Sequence, residues 1–441
     1  MSNETNSAGK MALDDIEGFL RTIIEALLPD ESNSGRGRPR VLPSLCLWAG
    51  LLVCVLRGFG SQLALWRLLR QKGLWSYPRF VVSDQAVYKR LAESGIEPLQ
   101  QLFHQISDVL AQQLGATAIS GLAPFASEVV ALEQMTLDQV ARYLPSLRKV
   151  PAGDDRLVPG DLAAVFDIRR QQWRQLRFVD DFHQNDRVIA REMVANLPPS
   201  TLLLADLGYF GFAWFDWLHD QGYYYVSRVR KKTSYTIRHI FYRQGDIFDG
   251  IIFLGAYRAD QAAHAVRLVE FHVGKTTYRY ITNVLDPRKL PIEQIARLYA
   301  RRWDIELAFK LIKRHLNLHL LWSAKPIVIQ QQLWAVLIIS QILQALRMEV
   351  ADRAHADPFE VSMELMIKYL PYFAYDNKDP IQSFIEQGRE LRFIRPSTRV
   401  VTKAPIIPDQ ELLPLPGDVV LTRTPRYAQR KCTRRSDAIT I

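Results

Sequence analysis

The alternation of short apolar runs and helical segments between residues 129 and 229 most constrains how this chain can fold. Runs rich in β-branched and apolar residues lie at Val129–Leu132, Leu162–Ile168, Gln172–Phe178, Leu202–Asp206 and Tyr223–Val229. Segments with helical patterning separate the last three runs, near 186–196 and 214–221. Strands that alternate with helices in this way predict an α/β fold.

A second constraint is the helical stretch Tyr299–Lys313, in which polar residues recur on one predicted face. Spacings of 3, 4 and 7 residues place them within roughly 60° of one another on an ideal helix: Tyr299, Arg302, Glu306 and Lys313. A carboxylate among cations fits metal-dependent phosphoryl transfer on nucleic acid, because the carboxylate can hold a metal ion and the cations can hold phosphates. A solvated helix face with ion pairs is the alternative interpretation.

The spacing Tyr-(two)-Arg-(three)-Glu-(six)-Lys in this stretch resembles the signature of the DDE transposases of bacterial insertion sequences, in their IS-four family. Two upstream segments resemble the strands that carry the other acidic residues of that family. They are Val129–Asp138, which contains Glu133, and Leu202–Phe210, which contains Asp206. The resemblance extends from about residue 127 to about residue 345.

The resemblance implies a DNA transposase that cleaves and transfers DNA strands at the terminal inverted repeats of an insertion sequence, by cut-and-paste. The implied catalytic residues, which are also the implied metal ligands, are Glu133, Asp206 and Glu306. They would hold two Mg²⁺ ions, with Mn²⁺ as the alternative metal. The residues implied to hold the DNA backbone near the cut are Tyr299, Arg302 and Lys313. The implied partners are double-stranded DNA, as terminal repeats and as target, and a second copy of the chain in a homodimer.

Glu133 departs from the family pattern, which has Asp at this position. Glu is longer by one methylene, and a displacement of about 1 Å in a catalytic site can cost on the order of 100-fold in rate. A catalytically impaired or repurposed transposase that binds DNA is therefore the alternative function. A Mg²⁺-dependent nuclease without strand transfer is a third, and Asp138 is a less favoured substitute ligand. Trp303 and Trp322 are candidates for stacking on a flipped base.

The order of elements resembles a ribonuclease H-like catalytic core, interrupted by an antiparallel β insertion and flanked by an α-helical N-terminal domain and a helical C-terminal extension. Alternating runs at 233–242, 251–257, 265–272 and 276–282 predict the insertion. The expected domains are a polar N-terminal segment with a basic linker (1–42), a helical DNA-binding domain (43–125), the first part of the core (126–229), the β-rich insertion (230–290), the second part of the core with C-terminal helices (291–373) and a Pro-rich basic tail (374–441). The helix that carries Glu306 is expected to start near Pro291 and to end at His315.

Two N-terminal segments carry cations that suit DNA. The linker ends in a basic segment with Gly and Pro, which favours either minor-groove binding or a plain flexible linker; its cations are Arg36, Arg38 and Arg40. The segment 83–93, with Ser83 as its predicted N-cap, follows a helix at 64–71 and resembles a helix-turn-helix unit. The residues expected to face DNA are Gln85, Tyr88, Lys89 and Arg90.

Charge and cysteine content agree with a DNA-binding protein of the cytoplasm. Lys and Arg number 56 against 46 Asp and Glu, a net charge of +10 that favours a polyanionic partner. The three cysteines have no metal-binding spacing. The most apolar stretches are predicted to be buried helices and not membrane spans, because Leu45–Leu56 is too short and Leu333–Leu346 is interrupted by glutamines.

Overall fold

The computed structural model describes residues 16–27, 41–75, 77–114, 121–136, 149–151, 161–179, 186–257, 259–318, 321–323, 325–373, 379–397 and 402–427. The helices, in chain order, are α1 Ile16–Leu27, α2 Ser44–Leu56, α3 Gln62–Gln71, α4 Asp84–Glu93, α5 Glu97–Gln113, α6 Asp186–Val194, α7 Phe212–Asp220, α8 Ile292–Arg301, α9 Trp303–Lys310, α10 Pro326–Arg353, α11 Met363–Phe373 and α12 Pro380–Glu386. The strands are β1 Val129–Thr136, β2 Asp161–Asp167, β3 Gln172–Val179, β4 Leu202–Ala205, β5 Tyr224–Arg228, β6 Tyr235–Gln244, β7 Ile247–Leu254, β8 Val266–Val273 and β9 Thr276–Thr282.

The chain divides into two compact units, each assembled from separate stretches of sequence. The first unit comprises Met1–Gly121, Ala131–Asn185 and Trp303–Val400. The second comprises Leu122–Val130, Asp186–Arg302 and Val401–Ile441. Both contain helices and strands, so the predicted α/β class is confirmed, whereas the ribonuclease H-like core and its domain boundaries stay predictions.

Helix α10 is the central helix of the first unit, where it packs against α2 and α5. By length and composition it could cross a membrane, but 78% of its most apolar window is buried inside the protein. Its apolar surface is therefore accounted for by a core position, as predicted for residues 333–346. Glutamines on α10 bond to backbone groups. Gln331 donates from Nε2 to the carbonyl of Leu91 at 2.9 Å, and Gln341 accepts from the amide of Trp173 at 2.7 Å.

The strands form where the sequence predicts them, with ends displaced by a few residues. In the first unit β2 and β3 pair as an antiparallel hairpin, and the strand order is β3-β2-β1. In the second unit the order is β4-β5-β9-β8-β7-β6, with β4 and β5 parallel. The later strands of this unit, β6 to β9, pair antiparallel with their neighbours, as their alternating patterns predict.

The prediction of one continuous helix from Pro291 to His315 is wrong. Helix α8 ends at Arg301, because the amide of Arg302 bonds to the carbonyl of Tyr299, three residues back, at 3.1 Å. The chain starts a new helix at Trp303 and passes into a π-helical turn over Leu311–His315. A π-helical turn holds more residues than an α-helical one. Angles computed for one ideal helix therefore do not describe this stretch.

The link between α3 and α4 also differs from the prediction. Ser83 caps α4 as expected, since its side chain accepts from the amide of Ala86 at 3.2 Å. The connection, however, runs from Lys72 to Ser83, much longer than the short turn of a helix-turn-helix unit. The helix-turn-helix interpretation is therefore wrong, while DNA binding by α4 stays a prediction.

Candidate active site

Asp206 follows directly after β4, at the carboxyl end of a strand that pairs in parallel with β5. The carboxyl ends of parallel strands are the usual edge for ligand binding in α/β sheets. A single 3₁₀ turn, Leu207–Tyr209, continues the chain, and Arg230 fixes it by donating to the carbonyl of Leu207 at 3.1 Å. The sequence therefore places this carboxylate on a short, braced turn.

Arg302 forms an ion pair with Asp206, with 3.9 Å between Nε and Oδ1. Arg302 is only 7% exposed, whereas 44% of the Asp206 side chain is accessible. The guanidinium therefore supports the carboxylate from the protein side and leaves an open side on which Asp206 can meet a ligand. The helix break after Arg301 places Arg302 at a turn, where its side chain reaches this position.

Tyr299 lies between two arginines in the same unit. The guanidinium carbon of Arg228 is 5.3 Å from the centre of its ring, and that of Arg302 is 5.9 Å from it. The ring of Tyr280 packs against it at 5.1 Å. Such contacts between cations and aromatic faces are stabilising, more so when shielded from water. Tyr299 is buried, so its ring positions Arg228 and also Arg302, the partner of Asp206.

Burial raises the pKa of both phenols. For Tyr299 the burial outweighs the nearby Arg302 guanidinium, which acts in the opposite direction. For Tyr280 burial raises the pKa to about 12, against the lowering effect of Arg228. Both hydroxyl groups therefore keep their protons near neutral pH, and neither phenol is a candidate base.

The other predicted acidic residues belong to the first unit. Glu133 lies on β1 and is half-buried, and its Oε1 accepts from the amide of Gln134 at 3.2 Å. Its carboxylate therefore folds back toward its own strand. Glu306, in the first turn of α9, and Lys313, in the π-helical turn, are also half-buried.

The structure brings Asp206, Tyr299 and Arg302 together, and it describes Glu133, Glu306 and Lys313 within the other unit. Within the described residues there is no group of three or more His, Cys, Asp or Glu side chains arranged to hold a metal ion. The metal-ligand set stays a prediction. Its chemistry fits, because accessible carboxylate oxygens are the donors that Mg²⁺ prefers.

The predicted DNA-binding residues of the N-terminal segments differ in exposure and in their contacts. Lys89 is on the surface and pairs with Glu93 at 3.7 Å. Arg90 is half-buried and donates to the hydroxyl of Ser44, which fastens α4 to the start of α2. The linker cations lie outside the described residues: Arg36, Arg38 and Arg40. Asp138 also lies outside them.

Arg228 is the site residue that sequence reasoning missed. It lies within the predicted strand Tyr223–Val229, and the sequence indicates no functional role for it. Its position at the end of β5, the strand that pairs with β4, carries it to the ring of Tyr299. A cation as the last residue of a buried strand was the available signal, next to the strand that Asp206 follows.

Residues 162–342 match a protein family described as the transposase DDE domain. This region contains Asp206, Tyr299, Arg302, Glu306 and Lys313, whereas Glu133 lies before it. Over this region the chain is similar to the DDE transposases of bacterial insertion sequences. The predicted resemblance is thereby confirmed.

Individual relatives agree with this result. The transposase of insertion sequence element IS231B from Bacillus thuringiensis subsp. berliner is 21% identical over 290 residues, which is 54% of this chain and 60% of the relative. The transposase InsG of element IS4 from Escherichia coli (strain K12) is 30% identical over 74 residues, or 16% of this chain and 17% of the relative. The chain thus spans less than two thirds of either relative.

A solved structure of a piggyBac transposase in a synaptic complex with hairpin DNA also aligns with the chain. The alignment covers 91% of this chain and 85% of the other, at 11% identity and a TM-score of 0.40. That score is too low to assign a shared fold.

Proposed function

We propose that this chain is a DNA transposase that cleaves and joins DNA strands at the terminal inverted repeats of its own element, acting in the cytoplasm. The relation to DDE transposases supports phosphoryl transfer on DNA, and members of this family generally use divalent metal ions. The observation that carries the proposal is the half-exposed Asp206 supported by the buried Arg302 at 3.9 Å. An accessible carboxylate backed by a fixed cation suits a site that binds both metal and phosphate.

The proposed metal ligands are Glu133, Asp206 and Glu306. These carboxylates would hold the Mg²⁺ ions, which would supply charge stabilisation to the reacting phosphate oxygens. Asp206 presents its carboxylate on a braced turn, and the ion pair with Arg302 orients that carboxylate. Oxygen-only donors favour Mg²⁺ or Mn²⁺ over metals that prefer sulfur or imidazole.

The arginines around Asp206 are proposed to hold the DNA backbone. Arg228 and Arg230 are exposed and lie on the same unit as Asp206, close to Tyr299 and to the turn after β4 respectively. Guanidinium groups bind phosphate oxygens with two parallel hydrogen bonds. Tyr299 and Arg302 are buried beneath them, so they act by holding these cations and the carboxylate. Lys313 is proposed to contact the backbone as well.

The N-terminal helices are proposed to bind the terminal repeats, with Lys89 on α4 and the cations of the linker at phosphates. Arg90 serves this surface through its bond to Ser44, which holds α4 in place. Strand transfer needs two DNA ends in one complex, so we also propose that two copies of the chain act together on DNA.

Cleavage of a DNA duplex that contains the terminal sequence of the encoding element tests the proposal. We expect Mg²⁺-dependent strand cleavage that is lost in Asp206→Asn and in Glu306→Gln, with DNA binding retained. Asp418→Asn changes an exposed acid on the C-terminal segment and serves as the matched control. Undiminished cleavage by both site variants would refute the assignment.

A further inference from the structure

A buried polar connection of three side chains lies against the start of α9, the helix that carries Glu306. Asp304 and Gln171 are each 1% exposed, and Arg347 is 7% exposed. Gln171 donates from Nε2 to Oδ2 of Asp304 at 2.8 Å, and its Oε1 accepts from Nη2 of Arg347 at 3.1 Å. An amide therefore bridges a buried carboxylate and a buried guanidinium, all within the first unit.

The amide of Gln171 has a defined orientation. Besides its bond to Asp304, Nε2 donates to the carbonyl of Ile168 at 2.8 Å. Both amide hydrogens thus meet acceptors, and the amide oxygen meets a donor. Rotating the amide by half a turn would set its oxygen against the Asp304 carboxylate and the Ile168 carbonyl. The connection therefore has a polarity, from guanidinium through amide to carboxylate.

The hairpin between β2 and β3 fixes the position of Gln171. Its backbone has φ of +57°, a left-handed conformation that non-glycine residues adopt only when their surroundings hold them there. The turn before it is closed by Asp167, whose Oδ1 accepts from the amides of Arg169 at 2.8 Å and Arg170 at 2.9 Å. Gln171 is thus a fixed point to which another element can be fastened.

Asp304 lies two residues before Glu306, in the first turn of α9. Side chains two positions apart point roughly 200° away from each other around a helix. Asp304 accordingly points into the protein while Glu306 is half-buried on a more accessible side. Arg302, the single residue between α8 and α9, has φ of −53° and ψ of −33°, and α9 begins at Trp303, one residue before Asp304.

From this geometry we infer that Asp304 is a positioning residue for Glu306, acting through its bond to Gln171 and the support of Arg347. The inference rests on the proposed function, because it assumes that the Glu306 carboxylate takes part in DNA cleavage. The anchored Asp304 sets the rotation and the height of the first turn of α9. Loss of this anchor lets the Glu306 carboxylate move while the DNA-binding surfaces stay unchanged.

The test uses the polarity of the connection in the full-length chain. Gln171→Glu sets two carboxylates against each other, and we expect single-turnover cleavage of the terminal DNA duplex to fall at least about tenfold, as for an Å-scale displacement. The Asp304→Asn change, added to Gln171→Glu, restores an amide–carboxylate bond of reversed polarity and keeps a carboxylate opposite Arg347. We expect it to recover a large part of the lost rate. DNA affinity stays unchanged throughout.

Hydrogen–deuterium exchange over residues 303–310 provides a readout that does not depend on activity. Exchange should quicken in Gln171→Glu and slow again in the double variant, whereas Gln71→Glu, on the exposed face of α3, should resemble wild type. Unchanged exchange in Gln171→Glu overturns the connection itself. Changed exchange with an undiminished cleavage rate, or with a parallel loss of DNA affinity, overturns the positioning role. An inactive wild type overturns the proposed function and with it that role, while exchange still reports the connection.

Discussion

The guanidinium of Arg302 and the carboxylate of Asp206 form a pair in which only one partner is shielded from water: Arg302 is buried, and Asp206 is half exposed. Ion pairs with an exposed partner contribute little to stability. We therefore expect Arg302→Lys, which keeps the charge but loses the planar fork, to change the free energy of unfolding by about 1 kcal/mol or less. Single-turnover DNA cleavage should fall by about tenfold or more. An unchanged cleavage rate, or a rate loss accompanied by a large loss of folding stability, would contradict this prediction.

Tyr280 predicts a stability loss at high pH. Its pKa in the folded protein, about 12, lies above the ordinary value of 10.0 because the phenol is buried. The neutral phenol is favoured on folding, so its contribution is complete below pH 10 and is lost as pH rises toward 12. The decrease should be about 2 to 3 kcal/mol. Denaturant unfolding at several pH values should show a smaller decrease in Tyr280→Phe than in wild type, because Tyr299, whose pKa is also raised, remains in the variant.

Substitutions of the adjacent residues Lys89 and Arg90 should affect different properties, DNA binding for Lys89 and folding stability for Arg90. Removing the exposed Lys89 should weaken DNA binding at all sequences and reduce the salt dependence by about one phosphate contact. Removing Arg90 breaks its bond to Ser44 and should lower the free energy of unfolding by about 1 kcal/mol. Salt titrations of DNA binding and thermal unfolding of Lys89→Ala and Arg90→Ala distinguish the two. If Arg90→Ala keeps the stability of wild type but shows a weaker salt dependence of DNA affinity, Arg90 contacts DNA instead.

The buried pair of Asp249 and Arg267 should dominate the stability of the second unit's antiparallel strands. Both side chains are fully buried and share two bonds of 2.6 Å. Removing one partner leaves a buried charge, so Asp249→Ala should cost about 3 to 5 kcal/mol. The Glu270–Arg279 pair on β8 and β9 is partly exposed, and Glu270→Ala should cost about 1 kcal/mol at most. Similar losses in both variants, measured by denaturant unfolding, would contradict the argument.

Glu133 should act as a working replacement for Asp. Its carboxylate folds back to accept from the amide of Gln134 at 3.2 Å, so the additional methylene extends its reach less than a fully extended side chain would. We expect Glu133→Asp to cleave DNA within about tenfold of wild type, and Glu133→Gln to lose about 100-fold or more. A Glu133→Asp variant that is far more active than wild type would show that the methylene impairs the site.

The sequence predicts the strands well, and with them the position of Asp206 directly after a strand. Strand patterns and strand ends depend on local composition. It misses the interruption between α8 and α9, where the amide of Arg302 bonds to the carbonyl of Tyr299. It also misses the ion pair between Arg302 and Asp206, which lies almost a hundred positions earlier. Gln171 is a similar case. The residues adjacent to Gln171 in sequence do not predict that its amide is buried and joins Asp304 to Arg347. Long-range polar contacts of this kind leave no periodic signal.

The glutamines of α10 fix the axial position of this helix against the elements around it. A uniformly apolar helix could slide by one turn, about 5.4 Å, with little change in buried area. Gln331 and Gln341 are separated by roughly 15 Å along the axis, and each finds its backbone partners at one height only. Replacing both by leucine would make the helix more hydrophobic, but it would also remove the polar contacts that select one register. The more apolar core would then tolerate several registers of α10 instead of one.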